Sequence, residues 1–288
     1  MKQSFVTTFA HAKINLALAV LGIRDDGYHE LQSVMQSIDL HDVVRVRRAG
    51  EKVTCHCGEL SGSGNIAHIA AELFLQELGL SEGVEIHIEK HIPIQAGLAG
   101  GSSDAAATLR LLNKLFDNPL TKKTLLELAG KCGADVAFCL GGGTMWAAGR
   151  GEELDFLPKA PCLDLVLVKP RAGVNTREAY QRFDRDGRSG FLVRADWENA
   201  LRESSPQQIA ALLYNDLEIA SIPLVPEISD LKQQLLAEKC YGALMSGSGS
   251  CVFGIAQSGE HARQVAEKLK NRGHKNVWVT KTADHESM

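Results

Sequence analysis

Residues 93–106 read Pro-Ile-Gln-Ala-Gly-Leu-Ala-Gly-Gly-Ser-Ser-Asp-Ala-Ala, and no other stretch of this 288-residue chain constrains it as tightly. Gly97, Gly100 and Gly101 are followed by two hydroxyls and then by a helical pattern. Ala105, Leu109, Leu112 and Phe116 recur at three- and four-residue spacing, so they share one helix face. Ser102 or Ser103 stands where an N-cap belongs. Glycines let a backbone approach a ligand closely, and the unpaired N–H groups of a first helical turn favour an anion. The stretch is predicted to hold a phosphate chain; the plainer alternative is a flexible loop capped by serine.

Neither common phosphate-binding template fits it. A P-loop needs Gly-Lys followed by Ser or Thr, and the one Gly-Lys pair, Gly130-Lys131, is followed by Cys132. A dinucleotide fingerprint can be forced onto residues 62–67. The run before it, residues 55–61, is polar, whereas a buried parallel strand should be a nearly continuous apolar run.

The loop instead resembles that of the GHMP kinases (galacto-, homoserine, mevalonate and phosphomevalonate kinases), Pro-x-x-x-Gly-Leu-Gly/Ala-Gly-Gly-Ser-Ser. Two more segments agree: Ala12-Lys13-Ile14-Asn15-Leu16, and Met245-Ser246-Gly247-Ser248-Gly249-Ser250 running into Cys251-Val252-Phe253. Asp26-Gly27-Tyr28-His29-Glu30-Leu31 and Gly133-Ala134-Asp135-Val136 narrow the likeness to one branch, over residues 6 to 280 or so. That branch phosphorylates the 2-hydroxyl of a cytidine-diphosphate-linked methylerythritol, on the non-mevalonate route to isoprenoid precursors. The alternatives are a GHMP kinase for another small alcohol, such as homoserine or mevalonate, and a ligand-sensing protein that keeps the fold without turnover. Intact Lys13 and Asp135 speak against the last.

Composition sets the outer bounds. A net charge of −4 argues against a general nucleic-acid binder. No apolar run approaches the roughly 20 residues that span a bilayer. The first residues lack the apolar core of a signal peptide, so a cytoplasmic protein with no membrane partner is expected. Seven scattered cysteines do not read as a disulfide framework. Cys55-His56-Cys57 has no second Cys/His pair at zinc spacing, and Val53, Cys55 and Cys57 alternate as one face of a strand, so the cysteines are taken as small buried side chains.

Strands are predicted over residues 5–20, 43–46, 52–57, 84–88, 163–168 and 277–280, with another ending near Ala148. Helices are predicted over 65–78, 102–116, 121–131, 207–214, 227–238 and 258–272. Residues 181–206 look like a polar connection or surface excursion. This irregular mixture is α+β. The resemblance implies a ribosomal-S5-like amino-terminal domain (1–157), a ferredoxin-like carboxy-terminal domain (158–288), and an active site in the cleft between them.

The resemblance also implies roles. Lys13 and Asp135 match the family's catalytic lysine and aspartate: Asp135 would orient the acceptor hydroxyl and take its proton, and Lys13 would offset charge on the attacking oxygen. ATP would lie on Pro93, Ile94, Gln95, Ala96, Gly97, Leu98, Ala99, Gly100, Gly101, Ser102 and Ser103, with Asn65 near its base or ribose. Its Mg2+ would need few protein ligands, Ser102 or Ser103 among them. For the small-molecule acceptor, Tyr28 offers a stacking face and His29 a hydrogen bond to a pyrimidine edge. Asn15, one pleat from Lys13, could touch the substrate, and Tyr180 would close over the cytosine. Residues 245–250 would close the cleft, or serve as a tight strand connection. Three positions depart from the family pattern: Ala99 for glycine, Ala137 for proline, and Asp104 for asparagine, the last expected to point away from the nucleotide.

Overall fold

In the computed structural model, residues 4–284 are described. Two long antiparallel strands, β1 (Val6–Ile23) and β2 (His29–Arg48), form the spine, and the Tyr28 turn joins them. β2 pairs with β4 (Val84–Glu89) along one part of its outer edge and with β5 (Thr144–Ala148) along another. β3 (Thr54–His56) adds parallel to β4, and β6 (Glu153–Phe156) antiparallel to β5. Four helices belong to this half: α1 (Ile66–Glu77), α2 (Gly100–Leu115), α3 (Lys122–Cys132) and α4 (Ala134–Gly141).

The second half opens with β7 (Asp164–Val168). There follow α5 (Thr176–Asp186), α6 (Arg194–Glu203), α7 (Pro206–Ala211), the short β8 (Tyr214–Asn215), α8 (Glu218–Leu224) and α9 (Glu227–Ala237). The chain then runs through β9 (Gly242–Met245), β10 (Val252–Ile255), α10 (Gly259–Asn271) and β11 (Val277–Lys281). The four-stranded sheet has the order β11-β7-β10-β9, every pair antiparallel. That order is the ferredoxin-like one.

Alternation along the strands sorts the core into layers. Leu165 and Leu167 of β7 face the first sheet, sharing a cluster with Ile14, Leu16, Trp197 and Phe253. Val166 and Val168 face the opposite way, onto Phe183, Ile228, Leu231 and Leu269. The first sheet's far face carries Val44, Val46 and Ile86, under Phe74, Leu109, Leu112 and Phe138. The result is helix, sheet, sheet, helix. Because both faces of β1 are covered, every residue from Ala12 to Val20 is buried, including Lys13 and Asn15.

The structure corrects several expectations. Residues 181–206 are no bare connection: they hold most of α5 and all of α6, whose Trp197, Ala200 and Leu201 enter the core between the sheets. Three apolar residues at i, i+3 and i+4 suffice to dock a short helix whose other positions are polar. β8, read as the end of a helix, instead pairs in parallel with Ala17 and Leu18 of β1, adding a strand from the second half to the first half's sheet. Neither Ser102 nor Ser103 caps α2. The cap position is Ala99, left-handed at φ 55°, with no side-chain hydrogen bond. Among the described residues, no helix is long and apolar enough to cross a membrane. All seven cysteines are free thiols.

Candidate active site

A cavity of about 1060 Å3 lies where the two halves meet. Its wall is built from β1, the glycine loop, the amino ends of α4 and α5, and the loop between β9 and β10.

Lys13 and Asp135 meet there. Lys13 is buried on β1, and its backbone N–H donates to the Leu98 carbonyl at 3.1 Å, tying the strand to the glycine loop. Its Nζ donates to Asn15 Oδ1 at 2.7 Å and stands 3.6 Å from Asp135 Oδ2. Asp135 sits in the first turn of α4, its side chain 36 % exposed and facing the cavity. Asn15 is held in turn: its Nδ2 donates to Ser33 Oγ at 2.8 Å, and Ser33 donates to the Ala17 carbonyl at 2.6 Å. The buried ammonium is therefore held on one side by a chain of satisfied polar groups and faces the carboxylate directly on the other, as buried charge requires.

The glycine loop is clasped from the other half. Ser246 Oγ donates to the Gly97 carbonyl at 2.9 Å and accepts from the Asn15 N–H at 3.3 Å; the Cys251 N–H donates to the Ala96 carbonyl at 3.2 Å. Gly97 has φ 74°, and a Cβ on it would lie 2.0 Å from the Ser246 carbonyl oxygen. Only glycine fits. The three glycine- and lysine-bearing motifs, far apart in sequence, thus touch one another.

The start of α2 leaves its first amides, on Gly100, Gly101 and Ser102, without intrahelical partners and beside the cavity. Ser102 lines it. Ser103 does not serve as expected: it is buried, and its hydroxyl donates to the His11 carbonyl at 2.6 Å, pinning α2 to β1. Of Pro93 to Ser103, all the others line the cavity, as does Asn65. The Asn65 side chain caps α1, accepting from the Ala67 N–H at 2.9 Å and donating to the Leu60 carbonyl at 3.0 Å.

Asp104 has partners that its sequence neighbourhood does not reveal. It is buried under the loop and bonded to Lys90 at 2.7 Å; Lys90 also bonds Asp42, which accepts the Ile92 N–H at 2.8 Å. Asp104 Oδ1 has no partner among the described residues. Burial, reinforced by the Asp42 carboxylate, pushes the Asp104 carboxyl well above the usual range despite Lys90.

The residues expected at the acceptor divide. Tyr180, on α5, lines the cavity, and burial together with Asp135 pushes its phenol above the ordinary range. The His29 ring lies 4.6 Å from it, and His29 Nε2 is 2.6 Å from Asp184 Oδ1. Tyr28 turns outward, 59 % exposed, with the Arg150 guanidinium 5.0 Å from its ring centroid. Arg150 lines the cavity. Sequence reading missed Arg150, Asp184, Ser33 and the clasping role of Ser246. The register partnership of Leu18 with Ser33 is invisible without strand pairing, and Asp184 lay in the stretch read as a connection.

Comparison with known proteins agrees with this architecture. The profile of the GHMP kinases N terminal domain matches residues 65–143, and that of the GHMP kinases C terminal domain residues 198–275. The 4-diphosphocytidyl-2-C-methyl-D-erythritol kinase of Desulfitobacterium hafniense (strain Y51) is 54% identical over 285 residues, covering 99% of this chain and 98% of that one. The enzyme of the same name from Pelotomaculum thermopropionicum is 42% identical, covering 96% and 98%. A crystal structure of 4-(cytidine 5'-diphospho)-2C-methyl-D-erythritol kinase superposes with a TM-score of 0.84 at 34% identity, covering 97% of this chain and all of that one (100%). Homoserine kinase from Cytophaga hutchinsonii shares the fold, with a TM-score of 0.75 at 22% identity, covering 98% and 95%. The chain belongs to the GHMP kinase family, in its 4-diphosphocytidyl-2-C-methyl-D-erythritol kinase branch.

Proposed function

We propose that this protein transfers the γ-phosphoryl group of ATP to the 2-hydroxyl of 4-diphosphocytidyl-2-C-methyl-D-erythritol. The observation that carries this reading is the Lys13–Asp135 pair, 3.6 Å apart, beside a glycine loop whose amides suit a phosphate chain. Full-length likeness to enzymes of that name supports the acceptor over homoserine or mevalonate. In this reading residues 1–157 carry the loop and both catalytic groups, and residues 158–288 close the cleft. A small-molecule kinase drawing on the ATP pool works in the cytoplasm and needs no nucleic acid.

The acceptor hydroxyl lies beside Asp135, which orients it. As the acceptor oxygen bonds to the γ-phosphorus and the bond to the ADP oxygen breaks, the hydroxyl proton passes to the Asp135 carboxylate. Lys13, fixed by Asn15, offsets the charge around the transferring group. The amides of Gly100, Gly101 and Ser102 hold the phosphates. The Mg2+ that accompanies ATP suits this donor set, since it keeps most of its ligands as water and phosphate oxygens. Ser102, whose hydroxyl-bearing side chain borders the cavity, would hold it, and when bound it neutralises phosphate charge. Tyr180 forms the aromatic wall for the cytosine, with the His29 ring beside it and Tyr28 and Arg150 at the mouth.

The test is ADP release from Mg-ATP with each alcohol in turn. Turnover with the cytidyl acceptor alone is expected. Turnover only with homoserine or mevalonate, or with none, would overturn the assignment.

A further inference from the structure

Away from the cavity, β1 and β2 bring a second set of chemically active side chains together. His11 and His41 are register partners, their ring centroids 5.0 Å apart. Side chains directly opposite in an antiparallel pair share a face. From this pair to the next, Lys13 opposite Ser37, β1 advances two residues and β2 four. The extra length is a bulge, a device that re-aims side chains, and it contains Asp39. One ligand atom from each of His11, Asp39 and His41 lies within 4.8 Å of the others.

The imidazoles are oriented by the backbone. His11 Nδ1 is 3.3 Å from the Ile38 carbonyl oxygen, and His41 Nδ1 is 2.7 Å from that of Asp39. A carbonyl only accepts, so in each neutral ring Nδ1 carries the proton and the lone pair sits on Nε2. Metal-binding histidines are characteristically fixed in this way, one nitrogen donating to a carbonyl while the other ligates.

A second triplet, His56, Glu85 and His87, is as close-set. There, however, Arg47 donates twice to one Glu85 oxygen and His87 takes the other at 2.7 Å. A guanidinium on the carboxylate opposes a divalent cation. Arg263 and Lys281 line the same surface hollow as Asp39 and His41, but among the described residues neither forms an ion pair with Asp39.

We propose that His11, Asp39 and His41 form a binding site for a divalent transition cation of the zinc class. Two imidazoles and a carboxylate are ligands that Zn2+ takes, with water completing the tetrahedron. Zn–N bonds of about 2.0–2.1 Å put tetrahedral ligand atoms about 3.3 Å apart, and a rotation of each ring or carboxylate about its side-chain bonds would bring the three groups to that spacing. Asp39 is exposed. The ion would cross-brace β1 to β2 at the residue whose carbonyl receives the Ser103 hydroxyl, tying the brace to the phosphate loop.

Isothermal titration of the full-length, nucleotide-free protein with ZnCl2 tests this. One saturable site is expected, with Kd on the order of 10 µM or tighter, and zinc should raise Tm by several degrees. Asp39→Asn and His41→Asn should each weaken binding about tenfold or more, comparable to losing one ligand's contribution. His87→Gln should leave it unchanged. Kinase turnover in each variant reports that the fold survives, and exposed Asp39 keeps the test valid should His41→Asn misfold. No saturable binding by the wild type, wild-type affinity in a correctly folded Asp39→Asn variant, or loss of binding in His87→Gln would overturn the site.

Discussion

The ammonium of Lys13 stands 3.6 Å from the carboxylate of Asp135, the first side chain buried and the second open to the cavity. A cation fixed in the wall thus faces an anion that a ligand can reach. Lys13→Ala and Asp135→Asn should each lower kcat by on the order of a hundredfold or more. Steady-state ADP release checks both, with nucleotide binding as the control for folding. Near-normal turnover in both would remove the assigned roles.

Asn15 is bonded to Lys13, a role beside the acceptor contact expected of it. Its two side-chain atoms join Lys13 to Ser33, so Asn15→Ala strands two buried polar groups. We expect kcat to fall more than tenfold with little change in the KM for ATP, and stability to drop by about 1–3 kcal/mol. Denaturant unfolding beside steady-state kinetics separates the two effects. An acceptor KM that rises alone would return Asn15 to a binding role.

Gly97→Ala tests the clasp between the halves. The new methyl would meet the Ser246 carbonyl at 2.0 Å, in a backbone conformation that disfavours any side chain. The loop must move, at about 1–3 kcal/mol. The KM for ATP should rise at least tenfold, read from initial rates over an ATP series. Wild-type kinetics would mean that the loop's placement tolerates the shift.

Asp104 predicts a pH dependence. Its folded-state carboxyl titrates well above the unfolded value, so the folded chain binds the extra proton between the two. Stability from this group is therefore full below the unfolded value, near 3.9, and declines as pH rises through the raised one. Lys90, itself raised, titrates above that window and does not reverse the sign. Asp104→Asn should flatten the decline measured by chemical unfolding between about pH 5 and pH 9. An unchanged slope would contradict it.

Tyr180 and Tyr28 should differ in effect. Tyr180→Ala removes a cavity wall and the ring beside His29, and should raise the acceptor KM about tenfold or more, in keeping with base–aromatic stacking of about 1–3 kcal/mol. Tyr28 is exposed over Arg150, so Tyr28→Ala should have the smaller effect. The reverse order would make Tyr28 the main stacking partner.

What could be read from the sequence depended on whether its signal was local. The glycine loop, the strand of β7 and the helix α10 announce themselves through spacing alone. Motifs mark Lys13 and Asp135, yet their separation depends on strand pairing and on α4, a helix of eight residues that no spacing in the sequence signals. Nothing local marks Ser103 as a pin between α2 and β1, because its partner, the His11 carbonyl, lies 92 positions away. Asp104 could be seen to be unusual, but Lys90 and Asp42 could not be seen to surround it. β8 is two residues long, too short for any periodicity to register.

The inner layer, where Ile14 and Leu16 lie against Leu165, Trp197 and Phe253, bears on how this protein can be divided. Cutting the gene after codon 157 would leave a bare greasy slab and remove β8 from the border of β1. Such a fragment should clump when expressed. Each outer layer of helices rests on one sheet alone, whereas the middle layer belongs to both halves at once.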